Sequence, residues 1–364
     1  MAILRSEISN VIQQNFGIHL ESSDVEQGLM QEATILDEEV IREIQKMAEK
    51  KQNPSQEKFK TLIGGQALIE GILMQGPDKR AIVVRGPEGL VTKVEPVKKR
   101  KSILTWPLIR GVVNFGSSMV NGVKALMYSA DFFPEEEGEP SKFDLWLEKK
   151  LGSEKLQQVV VSLSVVLGVL FSVGLFFLLP TFLAGLIPGL KERAVLRCLL
   201  EGVIRIAIFL GYMILISRMK DMRRVFSYHG AEHKTIRCYE AQLPLTVENV
   251  RPQTRLHPRC GTSFLFVVVI ISILVSSVFS AIWPVSNMLL RLCSRLLMLP
   301  LIVAISYEFN RMVGRHDNWL TRALSAPGMW FQYFTTNEPD DSMIEVAIKA
   351  LELVIPEEKG SDRW

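Results

Sequence analysis

Two long stretches of this chain hold no Asp, Glu, Lys or Arg: residues 156–190 and residues 260–290. Each exceeds the roughly 20 apolar residues that cross a bilayer, which excludes an ordinary soluble enzyme. Cysteine is scarce. Cys198, Cys238, Cys260 and Cys293 are too few and too scattered for a disulfide framework, so a reducing compartment is expected. Net charge is only +3, and the Lys and Arg residues lie largely beside the apolar runs, where a membrane accounts for them. No nucleic-acid partner is expected. The first residues, Met1 to Gln14, lack the apolar core of a secretory signal, so insertion is expected to rely on internal spans.

What is present falls into six stretches. Residues 1–60 read as a polar arm with a helix over Glu38–Lys51. Residues 61–155 form a cytoplasmic segment. In it Ala81–Arg85 and Leu90–Val94 are β-rich runs around Gly86-Pro87-Glu88-Gly89, a turn sequence, which predicts a β-hairpin. After Lys98–Lys101 and Trp106-Pro107, apolar residues recur at helical spacing up to Tyr128. This amphipathic helix either lies on an anionic membrane face or packs into the protein's own core. Glu135–Pro140 reads as a linker. Residues 156–217 hold two spans, near 159–186 and 196–217, and residues 263–308 hold two more, near 263–284 and 287–307.

Arg197, Glu201 and Arg205 recur at intervals of four within the second span, so they share a face and are expected to pair with one another inside the bundle. Arg291 and Arg295 open the fourth span and are expected to snorkel toward the nearer surface. Sixteen Lys and Arg residues flank the spans on the side of residues 218–262 against five on the other. That asymmetry predicts that both termini and the central loop are cytoplasmic. The fold class is therefore mainly α: a polytopic α-helical membrane protein of about four spans with a small cytoplasmic α+β part containing the hairpin.

The chemistry concentrates in the central loop, residues 218–262. Of five histidines, three fall between positions 229 and 257. His229-Gly-Ala-Glu232-His233 places two imidazoles one helical turn apart, with Glu232 on the adjoining surface, and His257-Pro-Arg-Cys260 adds two further donors. Imidazole and thiolate together suit Zn²⁺. If His229, His233, His257 and Cys260 all bind, the tetrahedron is closed and the ion structural; if three bind, a position stays open and Glu232 becomes a general base. For the two halves to meet, the chain is expected to bend between Ser217 and His229, laying the motif along the membrane surface. Gly64-Gly65-Gln66 with Gly71 reads as a tight turn, because it lacks the Lys-Ser/Thr of a phosphate-binding loop. Gln66 and Glu70 are four apart and can face one site. His316-Asp317 is a lesser candidate for the cluster and otherwise a turn.

With these residues placed, the sequence resembles the YqhQ family of bacterial membrane proteins. The resemblance rests on Gly64–Pro77, on His229–Thr235 with His257–Phe264, and on Ala326–Gln332 with Glu338–Ser342 and Glu345–Ile348. It implies a metal-dependent protein of the bacterial inner membrane and identifies no substrate. Two functions are expected to compete: a zinc-dependent hydrolase working at the cytoplasmic membrane face, or a zinc-clamped platform that binds a protein partner in membrane-protein synthesis or insertion. A transporter is less favoured because the spans show no internal repeat.

Overall fold

The computed structural model describes residues 59–98, 102–133 and 153–363, apart from positions 188, 190–192, 284, 286, 317 and 359. Residues 1–58 of the arm with its expected helix, the acidic linker, and Lys99–Lys101 lie outside the described residues.

Four strands form an antiparallel meander in chain order: β1 Gly64–Leu68, β2 Gly71–Gln75, β3 Lys79–Gly86 and β4 Gly89–Pro96. The predicted hairpin is the β3–β4 pair, closed at Gly86 opposite Gly89. The first two strands were not anticipated: the glycine-rich stretch read as a turn is a second hairpin, with Leu68 opposite Gly71. Its tight reversal is carried by Glu70, whose φ of 49° lies in the left-handed region.

Successive side chains of a strand face opposite ways, and here both faces are covered. Ile72, Met74, Ala81 and Val83 pack with Tyr228, Ala231 and Ile236 from one helix and Ile344, Ala347 and Leu351 from another. Leu73, Ile82 and Val84 pack instead with Leu68 and Ala125. That explains why β2 and the centre of β3 are uninterrupted apolar runs rather than alternating ones. Each fully buried aliphatic side chain contributes about 1.5–3 kcal/mol, so this two-sided core fixes the platform on which the site stands.

Helix α1 (Ile109–Ala130) divides its apolar stripe. Gly111 approaches Ala304 and Tyr307, Arg110 pairs with Glu308, and Ala125 reaches the sheet. Trp106, Met119, Val120 and Val123 remain exposed. One face of the helix thus packs into the protein's own core, while the apolar residues of the other face are exposed.

Helix α2 (Ser153–Val173) runs through a π turn at Gly174–Leu178 into α3 (Leu179–Gly185). Pro180 has no N–H to offer the Phe176 carbonyl one turn back, and Arg205 Nε donates to that oxygen at 2.8 Å. The chain continues as α4 (Ala194–Ser217), α5 (Lys220–Glu240), the short α6 (Val247–Val250), α7 (Gly261–Ile282), α8 (Met288–Arg315), α9 (Trp319–Thr335) and α10 (Asp341–Glu352). Among the described residues, four stretches are long and apolar enough to cross a membrane: Leu163–Gly185, Val195–Ser217, Gly261–Ile282 and Leu289–Arg315. They are consistent with a multi-pass membrane protein. Helix α8 has 28 residues, roughly 42 Å at 1.5 Å per residue. It outruns the hydrocarbon, and its last turns, with Glu308, meet α1.

Two expectations about charged residues need correction. Arg205 does not pair with Glu201; it turns to the Phe176 carbonyl and to Ser272 Oγ at 3.3 Å. Arg291 and Arg295 do not snorkel outward but are buried, and both donate to Glu201. A carboxylate 1% exposed in an apolar bundle holds guanidiniums more firmly than a distant surface does.

Candidate metal centre

The expected bend is present. Helix α4 ends at Ser217, Met219 is extended, and α5 starts again at Lys220. Helix α5 then lies against β1, β2 and α10, which buries every residue from Tyr228 to Ile236. Gly230 is there because the backbone of Asn337 crosses it: a Cβ would collide with the Asn337 carbonyl oxygen and touch Pro339. Asn337 N–H donates to the Phe226 carbonyl at 2.8 Å, and Lys234 pairs with Glu338. The C-terminal motif thus straps the histidine helix down.

His229 and His233 stand one turn apart with ring centroids at 4.3 Å. Cys260 arrives from another direction as the N-cap of α7, its Sγ accepting from Thr262 N–H at 3.3 Å. Donor atoms of His229, His233 and Cys260 all lie within 4.8 Å of one another, and all three residues are buried. Each imidazole is oriented by a backbone carbonyl. His229 Nδ1 donates to Thr335 O at 2.8 Å, and His233 Nδ1 donates to Arg255 O at 2.5 Å. With Nδ1 donating to a carbonyl, Nε2 is the atom that offers a lone pair when the ring is neutral, the tautomer and support typical of metal-bound histidine. His229 Nε2 lies 3.2 Å from Cys260 Sγ.

Charge follows this geometry. Burial disfavours a Cys260 thiolate, but His233 and His229 outweigh it and hold the thiol well below its ordinary value. Burial likewise disfavours protonated His229, yet the Cys260 sulfur raises it to about 9. A thiolate at a helix N-terminus between two imidazoles is a ready soft-metal donor. The donor set fits Zn²⁺: two imidazole nitrogens and one sulfur make a three-ligand site with a fourth position left over.

Glu232 flanks the trio. Its Oε1 accepts the Gly65 N–H at 2.9 Å, while its buried Oε2 has no hydrogen-bond partner among the described residues. Burial pushes this carboxyl up from the usual range. Gly65 was missed as a site residue. A Cβ there would lie 3.1 Å from Glu232 Cδ and 2.5 Å from the Leu73 carbonyl, so the close approach of strand to carboxylate needs glycine.

His257 stands apart from the trio. Its ring centroid is 5.6 Å from that of His233, and its Nε2 faces Glu240 Oε2 at 3.3 Å. Arg259 reaches the same carboxylate. Gln332, fully buried, accepts from His257 N–H and donates to His257 O, both at 2.7 Å, and donates also to Ser263 Oγ. Clamped on both sides of its backbone, His257 is held as a neutral imidazole, burial driving it down to about 4. Gln332 and Glu240 were not singled out from sequence; only the former lay in a recognised motif. Gln66 and Glu70 share no site: Gln66 reaches the Ser118 carbonyl, and Glu70 binds Arg224 and Tyr228 Oη. His316 is exposed, with Nδ1 toward Met312 O.

Comparison with known proteins adds kinship rather than chemistry. A family model described as protein of unknown function (DUF1385) matches residues 106–357. The uncharacterized protein YqhQ of Bacillus subtilis (strain 168) is 32% identical over 301 residues, covering 81% of this chain and 93% of the relative. No solved structure matches.

Proposed function

The chain belongs to the DUF1385 family, and from that premise we propose that it is a zinc-dependent hydrolase acting at the cytoplasmic membrane face, with His229, His233 and Cys260 as ligands and Glu232 as general base. The observation that carries this reading is the trio of converging donors beside a buried carboxylate oxygen that has no partner among the described residues. Zn²⁺ held by these three residues would supply Lewis-acid polarisation and lower the pKa of water. The protein's own groups do the rest. Thr335 and Arg255 carbonyls fix the imidazoles, Gly65 N–H fixes Glu232 Oε1, and Oε2 is left to accept a proton. The raised Glu232 carboxyl suits a base that must return that proton to a leaving group. The excess of Lys and Arg beside this side of the spans supports a cytoplasmic placement in the bacterial inner membrane, and a site so near the lipid favours a peptide or lipid-linked substrate.

One observation favours a second reading. The three ligands are 1–9% exposed, as in a closed structural site, so zinc would clamp α5 to the start of α7 and stabilise a platform for a protein partner. Complementation of a chromosomal deletion, with zinc measured on each variant, separates the two. Glu232→Gln that keeps zinc and fails to complement supports hydrolysis; Glu232→Gln that complements fully supports the clamp. A parent protein that takes up no zinc refutes both.

A further inference from the structure

Toward the start of α4, away from the histidines, three guanidiniums meet one carboxylate and a fourth lies on the same helix face. Arg291 Nη1 donates to Glu201 Oε1 at 3.1 Å, Arg295 also donates to Glu201, and Arg197 Nε lies 3.4 Å from Oε1 without a hydrogen bond. Arg205 reaches only the Phe176 carbonyl and Ser272, with its guanidinium 5.1 Å from the Phe177 ring. Glu201, Arg205, Arg291 and Arg295 are 1–6% exposed. Among the described residues the cluster therefore carries three positive charges in excess. Glu201 and Arg295 each lie seven residues inside their helix starts, roughly 10 Å along the axis, where charge without a counter-ion costs several kcal/mol.

Beside the cluster, α7 and α8 flank a narrow cleft, open on one side and with enclosed room of only about 10 Å³, lined by Arg291, Arg295, Ser276, Ser280, Ser294 and Trp283. Ser276 and Ser280 are one turn apart and buried. We propose that this cleft binds a phosphate-type oxyanion, presented either by an anionic lipid headgroup or as free phosphate. Guanidinium forks match phosphate oxygens in pairs, serine hydroxyls add neutral donors, and the anion offsets the excess charge. Trp283 at the rim suits an interfacial position beside lipid.

The test uses the full chain purified in a neutral detergent. Native mass spectrometry and thermal melts are recorded with phosphatidylglycerol, with phosphatidylcholine and with inorganic phosphate. Phosphatidylglycerol that binds at least tenfold more tightly than phosphatidylcholine, with binding lost in Arg291→Gln, assigns a lipid; the same pattern with inorganic phosphate alone assigns the free ion. If Arg291→Gln does not fold, Ser276→Ala/Ser280→Ala replaces it, with a severalfold loss expected. Equal binding of the two lipids with no effect of phosphate, or anion binding undiminished in a folded variant, overturns the proposal.

Discussion

Adjacent glycines should respond oppositely to the same added methyl. At Gly64 a Cβ meets nothing within 4 Å, whereas at Gly65 it lies 2.5 Å from the Leu73 carbonyl, 3.0 Å from Met74 Sδ and 3.1 Å from Glu232 Cδ. The methionine sulfur can move. The strand carbonyl and the buried carboxylate cannot move without opening β1–β2 or breaking the Gly65 N–H bond to Glu232. Overpacking of this kind costs about 1–3 kcal/mol, and loosening a hydrogen bond to a buried polar group costs about 1–3 kcal/mol. Gly65→Ala should therefore destabilise by about 3 kcal/mol, a fall in Tm on the order of 5–10 °C. Gly64→Ala should melt within a degree or so of the parent. Zinc content should survive Gly65→Ala, because none of the three donors lies on β1, while any reaction needing Glu232 should fall steeply. The assay is a pair of melts in detergent with metal analysis on both variants. Equal stability of the two, or selective zinc loss in Gly65→Ala, would refute the placement of Glu232 between strand and metal ligands.

Gln332→Ala should cost about 3 kcal/mol or more, since it strands the His257 backbone and Ser263 Oγ in a buried place; chemical denaturation against Gln332→Glu and the parent reads it. Acid should weaken the fold through His257. Its folded imidazole takes a proton only near pH 4 against about 6.5 when unfolded, so its contribution is intact above pH 6.5 and is lost as pH falls toward 4. The full loss is about 3 kcal/mol at most, from 1.36 kcal/mol per pKa unit, and His257→Asn should flatten that stretch of the stability profile. Cys260→Ser should reduce zinc retention by at least tenfold, whereas Glu232→Gln should leave zinc at the parental level, both by elemental analysis.

Much of this was legible because local composition decides it. Absence of charge marks the spans, and the helical-turn spacing of His229 and His233 places them on one face whatever the rest of the chain does. The bend at Arg218–Met219 followed from chain length alone, since Cys260 opens a span and His229 lies a dozen residues past one. Less legible were outcomes set by competition between distant partners. His257 has the right spacing for a ligand, but Glu240 and Gln332 hold it elsewhere. Arg291 and Arg295 had water within snorkelling reach in principle, yet a buried carboxylate from another helix holds them. The first hairpin was hidden because its glycines answer to the close approach of Glu232 and to the neighbouring strand, neither of which leaves a period in the sequence.

X-ray absorption at the zinc edge, on full chain purified without chelator, tests the central claim most directly. One zinc per chain with a single sulfur near 2.3 Å and two nitrogens near 2.0–2.1 Å, the spacings usual for thiolate and imidazole ligands, is the predicted result, with the sulfur shell gone in Cys260→Ser. A zinc-free protein, or zinc bound with no sulfur in its shell, would contradict it.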